Sequence, residues 1–164
     1  MNDLDKYVRE NSAHETGHMT VLFKADRFAG LYFLPHEKAA NGIPGVIETR
    51  LKTQSNRGDC PAFAAGMVAE VILLGQCDPE RCLDDREQVQ RLTGQILEDF
   101  APDARAIIDQ DMPFFELLHR KAQQQMSVFF YELCGRNYAA LPQEMQVLTL
   151  ADVEFIHELA KSKK

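Results

Sequence analysis

The sequence predicts a mainly α-helical protein with a small β-sheet, an α+β fold. Two observations support this class: apolar residues recur at helical spacing through most of the chain, and two short β-type segments follow the first helix. The length of 164 residues is enough for one domain with its own core, and no repeat or linker divides it. We therefore expect residues 1–164 to form a single domain.

The individual elements follow from apolar spacing and from turn residues. The predicted helices are residues 3–25, 61–74, 84–100, 102–111, 113–134 and 151–161. The predicted strands are residues 30–35 and 46–54, joined through turn chemistry at 41–45. The partial alternation of residues 46–54 indicates an exposed or edge strand. Such a strand is either one arm of an ordinary β-hairpin or an edge that pairs with an extended peptide.

An H-E-x-x-H motif in the first helix carries the strongest chemical signal. His14 and His18 are four residues apart, so on a helix both imidazoles project from one face and can bind the same metal ion. Both histidines continue the apolar face, which indicates that they point inward. Glu15 flanks that face, where a carboxylate serves as general base in zinc hydrolases. The alternative is a pair of solvated histidines on a charged helix.

The helix at 61–74 contains a single charged residue, Glu70. The rest of this segment is apolar almost all round, which is typical of a buried helix. A carboxylate in such a position needs a partner, because burying an unpaired charge costs free energy. Glu70 is therefore expected to have a buried partner; the alternatives, capping a helix end or reaching solvent, are awkward from the middle of a helix.

The third predicted helix supplies a further carboxylate. Its apolar stripe is Val89, Leu92, Ile96 and Phe100. Asp85 lies four residues before Val89 and so begins the buried face, whereas Asp84 is rotated about 100° away. Asp84 is explained as a helix N-cap or first-turn acid. Asp85 is the better candidate for a third metal ligand.

Charge and hydropathy exclude several classes of partner. The formal net charge of −7 argues against nucleic acid. No apolar run reaches membrane-spanning length, and the first residues do not form a signal peptide, so we expect a cytoplasmic protein. The four cysteines match no zinc-finger spacing and are expected to be free thiols: Cys60, Cys77, Cys82 and Cys134.

Three segments together resemble the peptidase domain of FtsH, the family of membrane-anchored AAA+ zinc proteases. Residues 14–19 (H-E-T-G-H-M) are similar to the family's H-E-A-G-H-A. Residues 65–75 (A-G-M-V-A-E-V-I-L-L-G) are similar to its A-G-R-A-A-E-E helix with the apolar pair and glycine that follow. Residues 84–90 (D-D-R-E-Q-V-Q) correspond to its N-D segment. The resemblance extends over nearly the whole chain, from about residue 5 to 160.

The resemblance implies a helical domain in which His14, His18 and Asp85 bind Zn²⁺ and Glu15 is the general base. Glu70 would lie beside the site and orient a ligand histidine; it is also the second choice for third ligand. The implied activity is that of a zinc metalloendopeptidase. Because the chain contains no AAA+ module, we expect peptides or unfolded segments as substrates; folded ones would need a separate ATPase.

Two other interpretations stay open at this stage. Arg86 replaces an apolar residue of the family pattern, and Val89-Gln90 replaces Ala-Thr. The same fold with these changes is compatible with a catalytically inactive zinc-binding or protein-interaction module. A metal-free helical scaffold is the third interpretation.

Overall fold

A computed structural model describes residues 2–38, 44–134 and 138–162. It is mainly helical, with one small antiparallel sheet, as predicted. The α-helices are α1 (Asp3–Lys24), α2 (Cys60–Leu74), α3 (Leu83–Thr93), α4 (Ala101–Asp109), α5 (Met112–Cys134) and α6 (Leu150–Lys161). The strands are β1 (Phe28–Lys38), β2 (Pro44–Leu51) and β3 (Met145–Thr149). Short 3₁₀ helices span Arg57–Asp59, Pro79–Cys82, Leu97–Phe100 and Tyr138–Ala140.

The sheet has the order β2-β1-β3, and both pairings are antiparallel. In the β1–β2 pairing Phe33 lies opposite Ile47, and in the β1–β3 pairing Leu31 lies opposite Leu148. The longest strand, β1, is therefore central. This order leaves β2 as an edge strand, which agrees with its alternating sequence.

Helix α1 is the centre of the helical layer and packs chiefly against α2 and α5. Its buried residues run without a break from Ser12 to Leu22, so the motif helix is enclosed on all sides over about three turns. The core below it is rich in aromatic and sulfur-containing side chains. Its largest fully buried members include Phe28, Phe33, Phe114, Phe115, Phe130, Met19 and Met126.

Helix α2 begins and ends as its sequence predicts. Pro61 lies in its first turn, and Gly75 ends it in the left-handed conformation with φ 84°. Between Cys60 and Glu70 every residue except Pro61 and Phe63 is buried, but the last turn faces solvent, where Val71 is 45% exposed. The prediction of a helix buried over its whole length is therefore wrong at its C-terminal end.

The third helix is shorter than the predicted span of 84–100. It ends at Thr93 because Gly94 adopts φ 73° and donates its N–H to the carbonyl of Gln90. The chain then turns and continues as a separate 3₁₀ helix. Ile96, a member of the predicted apolar stripe, is 57% exposed.

Strand β3 is not predicted by apolar spacing or turn residues, which indicate no element between residues 134 and 151. The predicted turn at 41–45 lies outside the described residues at 41–43, and Pro44 and Gly45 begin β2. Gly135, expected to end α5, also lies outside them. Cys60, Cys77 and Cys82 are free, as expected, and the side chain of Cys134 is not among those described. In the described part of the chain, no helix combines the length and apolar character that crossing a bilayer requires.

Candidate metal centre

The two histidines of α1 point toward one location. Their Nε2 atoms lie 2.9 Å apart, and the two rings meet at 83°. Both residues are buried, with 4% of His14 and 9% of His18 exposed. The separation of four residues thus produces the convergence that the motif predicts.

Asp85, in the first turn of α3, brings a carboxylate to the same location. Its Oδ2 lies 3.1 Å from Nε2 of His14 and 3.3 Å from Nε2 of His18. Ligand atoms at zinc bond lengths and tetrahedral angles lie about 3.3 Å from one another. The three atoms are therefore within about half an ångström of the spacing that Zn²⁺ requires.

The outer nitrogens of both imidazoles are already engaged. Nδ1 of His18 lies 2.7 Å from the carbonyl oxygen of Ala62, and a carbonyl can only accept, so Nδ1 carries the hydrogen. Nδ1 of His14 donates in the same way to Oε2 of Glu70, 2.7 Å away. In the neutral rings, both Nε2 lone pairs consequently face the carboxylate oxygen of Asp85. Three acceptors so close together are stable only with a proton or a metal cation among them.

The protonation behaviour of the cluster follows from the same charges. Burial alone would lower the pKa of His18, but the charge and hydrogen bond of Asp85, together with Glu15 and the Ala62 carbonyl, raise it to about 10. Burial and the charge of His18 act against protonation of His14, yet the hydrogen bonds that its ring donates to Asp85 and Glu70 raise its pKa. Burial likewise opposes ionisation of Asp85, but the two histidines hold its pKa well below the usual range. The site therefore attracts positive charge, and a divalent cation can replace the protons.

Glu70 is 1% exposed and is held from two directions. Besides the bond from His14, its Oε1 accepts the backbone N–H of Asp78 at 3.3 Å. Nε of Arg81 lies 3.4 Å from the same oxygen, and the guanidinium also contacts Glu10 on α1. Because these contacts hold Glu70 in place, Glu70 in turn holds the His14 ring in one orientation and in the tautomer with its hydrogen on Nδ1.

A second group of possible ligands shares His14 with the first. It consists of His14, Glu70 and Cys82. In this group Glu70 already accepts the Nδ1 hydrogen of His14. Burial, followed by the charges of Glu70 and Asp85, raises the pKa of the Cys82 thiol to about 12, and only the thiolate binds metal well. The first group fits a metal ion better.

Glu15 is 8% exposed and is anchored by the sheet. Its Oε2 accepts a hydrogen bond from the Thr49 hydroxyl of β2 at 2.6 Å. Glu15, His14, His18 and Asp85 line one cleft of about 1090 Å³. The residues of β2 from Val46 to Thr49 line the same cleft, so the edge strand runs beside the candidate metal centre.

The structure brings together every residue that the sequence singled out. His14, His18 and Asp85 converge, Glu70 supports His14 from behind, and Glu15 faces the cleft; their roles as ligands and base stay predictions. Asp84, predicted to be an N-cap or a first-turn acid, lies in the first turn of α3 and is exposed.

Sequence reasoning missed four contributors: Thr49, Arg81, the Ala62 carbonyl and Gly66. A Cβ atom on Gly66 would lie 2.5 Å from Cε1 of His14, so only glycine leaves room for that ring. A glycine in the middle of an apolar helix was a signal for such a close approach. The other three depend on contacts between distant segments and had no local signal.

Comparisons with protein-family models, curated proteins and solved structures give no match to this chain. The chemistry of the site is therefore inferred from its own residues.

Proposed function

We propose that this protein is a zinc-dependent metalloendopeptidase that hydrolyses peptide bonds in peptides or unfolded protein segments. One observation carries the proposal: three candidate ligand atoms within 3.3 Å of one another share a cleft with the carboxylate of Glu15 and with an edge strand. Two imidazoles and one carboxylate are the ligand type of catalytic zinc sites, which keep a position open for water or substrate. Structural zinc sites, by contrast, use four protein ligands.

His14, His18 and Asp85 would hold the metal through Nε2, Nε2 and Oδ2. Zinc in such a site polarises a carbonyl and lowers the pKa of water towards about 7. The contacts of Glu70 and of the Ala62 carbonyl keep both imidazoles in the tautomer that presents Nε2. These contacts reduce the reorganisation of the two rings that metal binding would need.

Glu15 would move the proton. Thr49 occupies Oε2, so Oε1 is the atom that accepts a proton from the attacking water. The same carboxyl then gives that proton to the nitrogen of the leaving amine as the C–N bond breaks. The balance is one water consumed, with one carboxylic acid and one amine formed.

Strand β2 would hold the substrate in an extended conformation. One edge of β2 pairs with β1, and no described strand pairs with the other. An extended peptide can add to such an edge through main-chain hydrogen bonds, independently of its sequence. Unfolded segments suit this mode, whereas folded substrates would need a separate ATPase to unfold them.

The test is cleavage of an unstructured fluorogenic peptide by the zinc-loaded protein and by Glu15→Gln. We expect the variant to keep its zinc, because Glu15 is not a ligand, and to lose activity by roughly 10²–10⁴-fold. Glu116→Gln, which removes an exposed carboxylate of α5, is the control with the same chemical change. Equal activity of Glu15→Gln and wild type would contradict the mechanism. Bound zinc without turnover by wild type would indicate the non-catalytic zinc module instead.

A further inference from the structure

The cleft that contains the candidate metal centre is strongly acidic. Of the described residues that line it, eight are aspartates or glutamates; apart from the two histidines of the candidate metal centre, the cationic ones are Lys6 and Arg81. Four of the eight already have assigned contacts at the site: Asp85 with the histidines, Glu15 with Thr49, and Glu10 and Asp78 with Arg81. Glu48 pairs with Arg50 on its own strand.

Both cations of the cleft already pair with neighbouring carboxylates. Nζ of Lys6 lies 3.8 Å from Oε1 of Glu10. Arg81 contacts Glu10, lies 3.4 Å from Glu70 and lies 3.6 Å from Asp78. Neither cation forms an ion pair with one of the remaining carboxylates of the cleft.

Three carboxylates at the cleft have no cationic partner. Asp3, Glu80 and Asp84 are exposed, and none of them forms an ion pair within the part of the chain that the structure describes. Asp84 immediately precedes the candidate ligand Asp85. Asp3 and Asp84 lie in first turns, where the helix dipole favours an acid, so their placement costs little stability. That effect does not neutralise their charge, and a cleft lined by one sign of charge concentrates ligands of the other sign.

We propose that the substrate of this cleft is a cationic extended peptide, with lysine or arginine side chains on either side of the bond to be cut. The side chains would pair with Asp3, Glu80 and Asp84 while the main chain lies along β2. This inference rests on the proposed function for placing an extended peptide in the cleft. The net charge of −7 acts in the same direction at long range.

The experiment uses two fluorescent, unstructured peptides of one sequence that carry either lysine or glutamate at the flanking positions. Binding is measured by fluorescence anisotropy with zinc-loaded Glu15→Gln, and cleavage is measured separately with wild type. We expect the lysine peptide to bind roughly tenfold more tightly at low salt. The preference should shrink in about 0.5 M salt, because exposed charges are then screened.

Two double variants on the Glu15→Gln background distinguish the cleft from the overall charge. Glu80→Gln with Asp84→Asn removes two of the three unpaired carboxylates and should reduce the binding ratio most of the way towards one, with Asp3 accounting for the remainder. Glu116→Gln with Glu154→Gln makes the same change in net charge on exposed positions of α5 and α6, and should leave the ratio unchanged.

Equal binding of the two peptides, or tighter binding of the glutamate peptide, would overturn the inference. An equal loss of preference in both double variants would also overturn it, because net charge alone would then explain the result. Tight, cleft-dependent binding of the lysine peptide without cleavage by wild type would contradict the peptidase and support the charge inference. The two proposals therefore fail in distinguishable ways.

Discussion

At the residue scale, the hydroxyl of Thr49 connects the proposed general base to the sheet. It donates to Oε2 of Glu15 at 2.6 Å, and both side chains line the cleft. A hydrogen bond to a charged group contributes about 1.5–3 kcal/mol, which is enough to select one rotamer of the carboxylate. Because Thr49 belongs to β2, the strand proposed to hold the peptide also positions the group that moves the proton.

Replacing Thr49 by valine tests this connection. Valine keeps the shape and the strand propensity but cannot donate a hydrogen bond. We expect kcat for peptide cleavage to fall about tenfold or more, with little change in KM and none in zinc content. Thr49→Ser should restore most of kcat. Loss of activity in the serine variant as well would mean that Thr49 acts through packing instead.

The residues of the site differ in how far sequence could predict them. His14 and His18 lie on one helix, so their spacing alone predicted that their nitrogens meet. Asp85 was predicted from an apolar stripe, and the member of that stripe nearest to it along the chain, Val89, is fully buried. Thr49 is 34 residues from Glu15 along the chain, and Arg81 is 71 residues from Glu10. Contacts over such distances depend on how the elements pack, which local periodicity does not contain.

At the scale of elements, the crossing of α1 and α2 builds the site. A Cβ on Gly17 would lie 2.0 Å from the carbonyl oxygen of Ala65, so the two backbones touch at this point. The close approach lets His18 reach the Ala62 carbonyl and lets His14 reach Glu70. Gly66 on α2 also contributes to this packing, because its missing side chain leaves space for the His14 ring.

The variant Gly66→Ala tests whether the close packing of α1 against α2 builds the site. Alanine is the better helix former by about 1 kcal/mol, so an effect of propensity alone would stabilise the protein. We expect the opposite, a loss of about 1–3 kcal/mol in the free energy of unfolding, because the new methyl group overlaps the buried ring of His14. Zinc affinity should fall roughly tenfold or more, measured by competition with a chelator. Val71→Ala, on the exposed last turn of the same helix, should leave zinc affinity unchanged; an unchanged affinity in Gly66→Ala would contradict the account.

The elements that sequence predicted poorly have physical explanations. Helix α3 seemed to continue to Phe100 because apolar residues kept the helical spacing after Gly94. The left-handed conformation of that glycine ended the helix, and the spacing beyond it was coincidental. Strand β3 is five residues long and lies beside a longer central strand. Its pairing with β1 stabilises it more than its own propensity, so it gave no clear signal.

At the scale of the whole molecule, the folding stability of the metal-free protein should depend on pH, because His14, His18 and Asp85 titrate differently in the folded and unfolded states. The ordinary pKa of histidine is 6.5, and in the folded protein the pKa of His18 is about 10, with that of His14 also raised. Their contribution to stability is complete below pH 6.5 and is lost as the pH rises towards about 10. The pKa of Asp85 is lowered from 3.8, so its contribution is present above that pH and is lost as the pH falls through the folded value.

Chelator-treated protein should therefore lose stability between about pH 6.5 and 8.5 in urea denaturation. His18→Gln removes one of the two raised groups and should make this dependence shallower. Zinc-loaded protein should show the opposite slope, because the metal needs neutral imidazoles. A wild-type stability that does not change, or that rises over this range without metal, would show that the histidines are not protonated in the folded state.

The measurement that tests the central claim most directly is zinc content per chain. Elemental analysis of protein purified without chelator, and again after adding zinc, should give about one zinc per chain for wild type and for Asp84→Asn. Asp85→Asn should contain little zinc, because it lacks the carboxylate that faces both histidines. Asp84→Asn and Asp85→Asn make the same chemical change at adjacent positions, so Asp84→Asn is the matched control. A wild-type protein that neither contains nor takes up zinc, or an Asp85→Asn variant that binds it as well as wild type, would contradict the proposed metal centre.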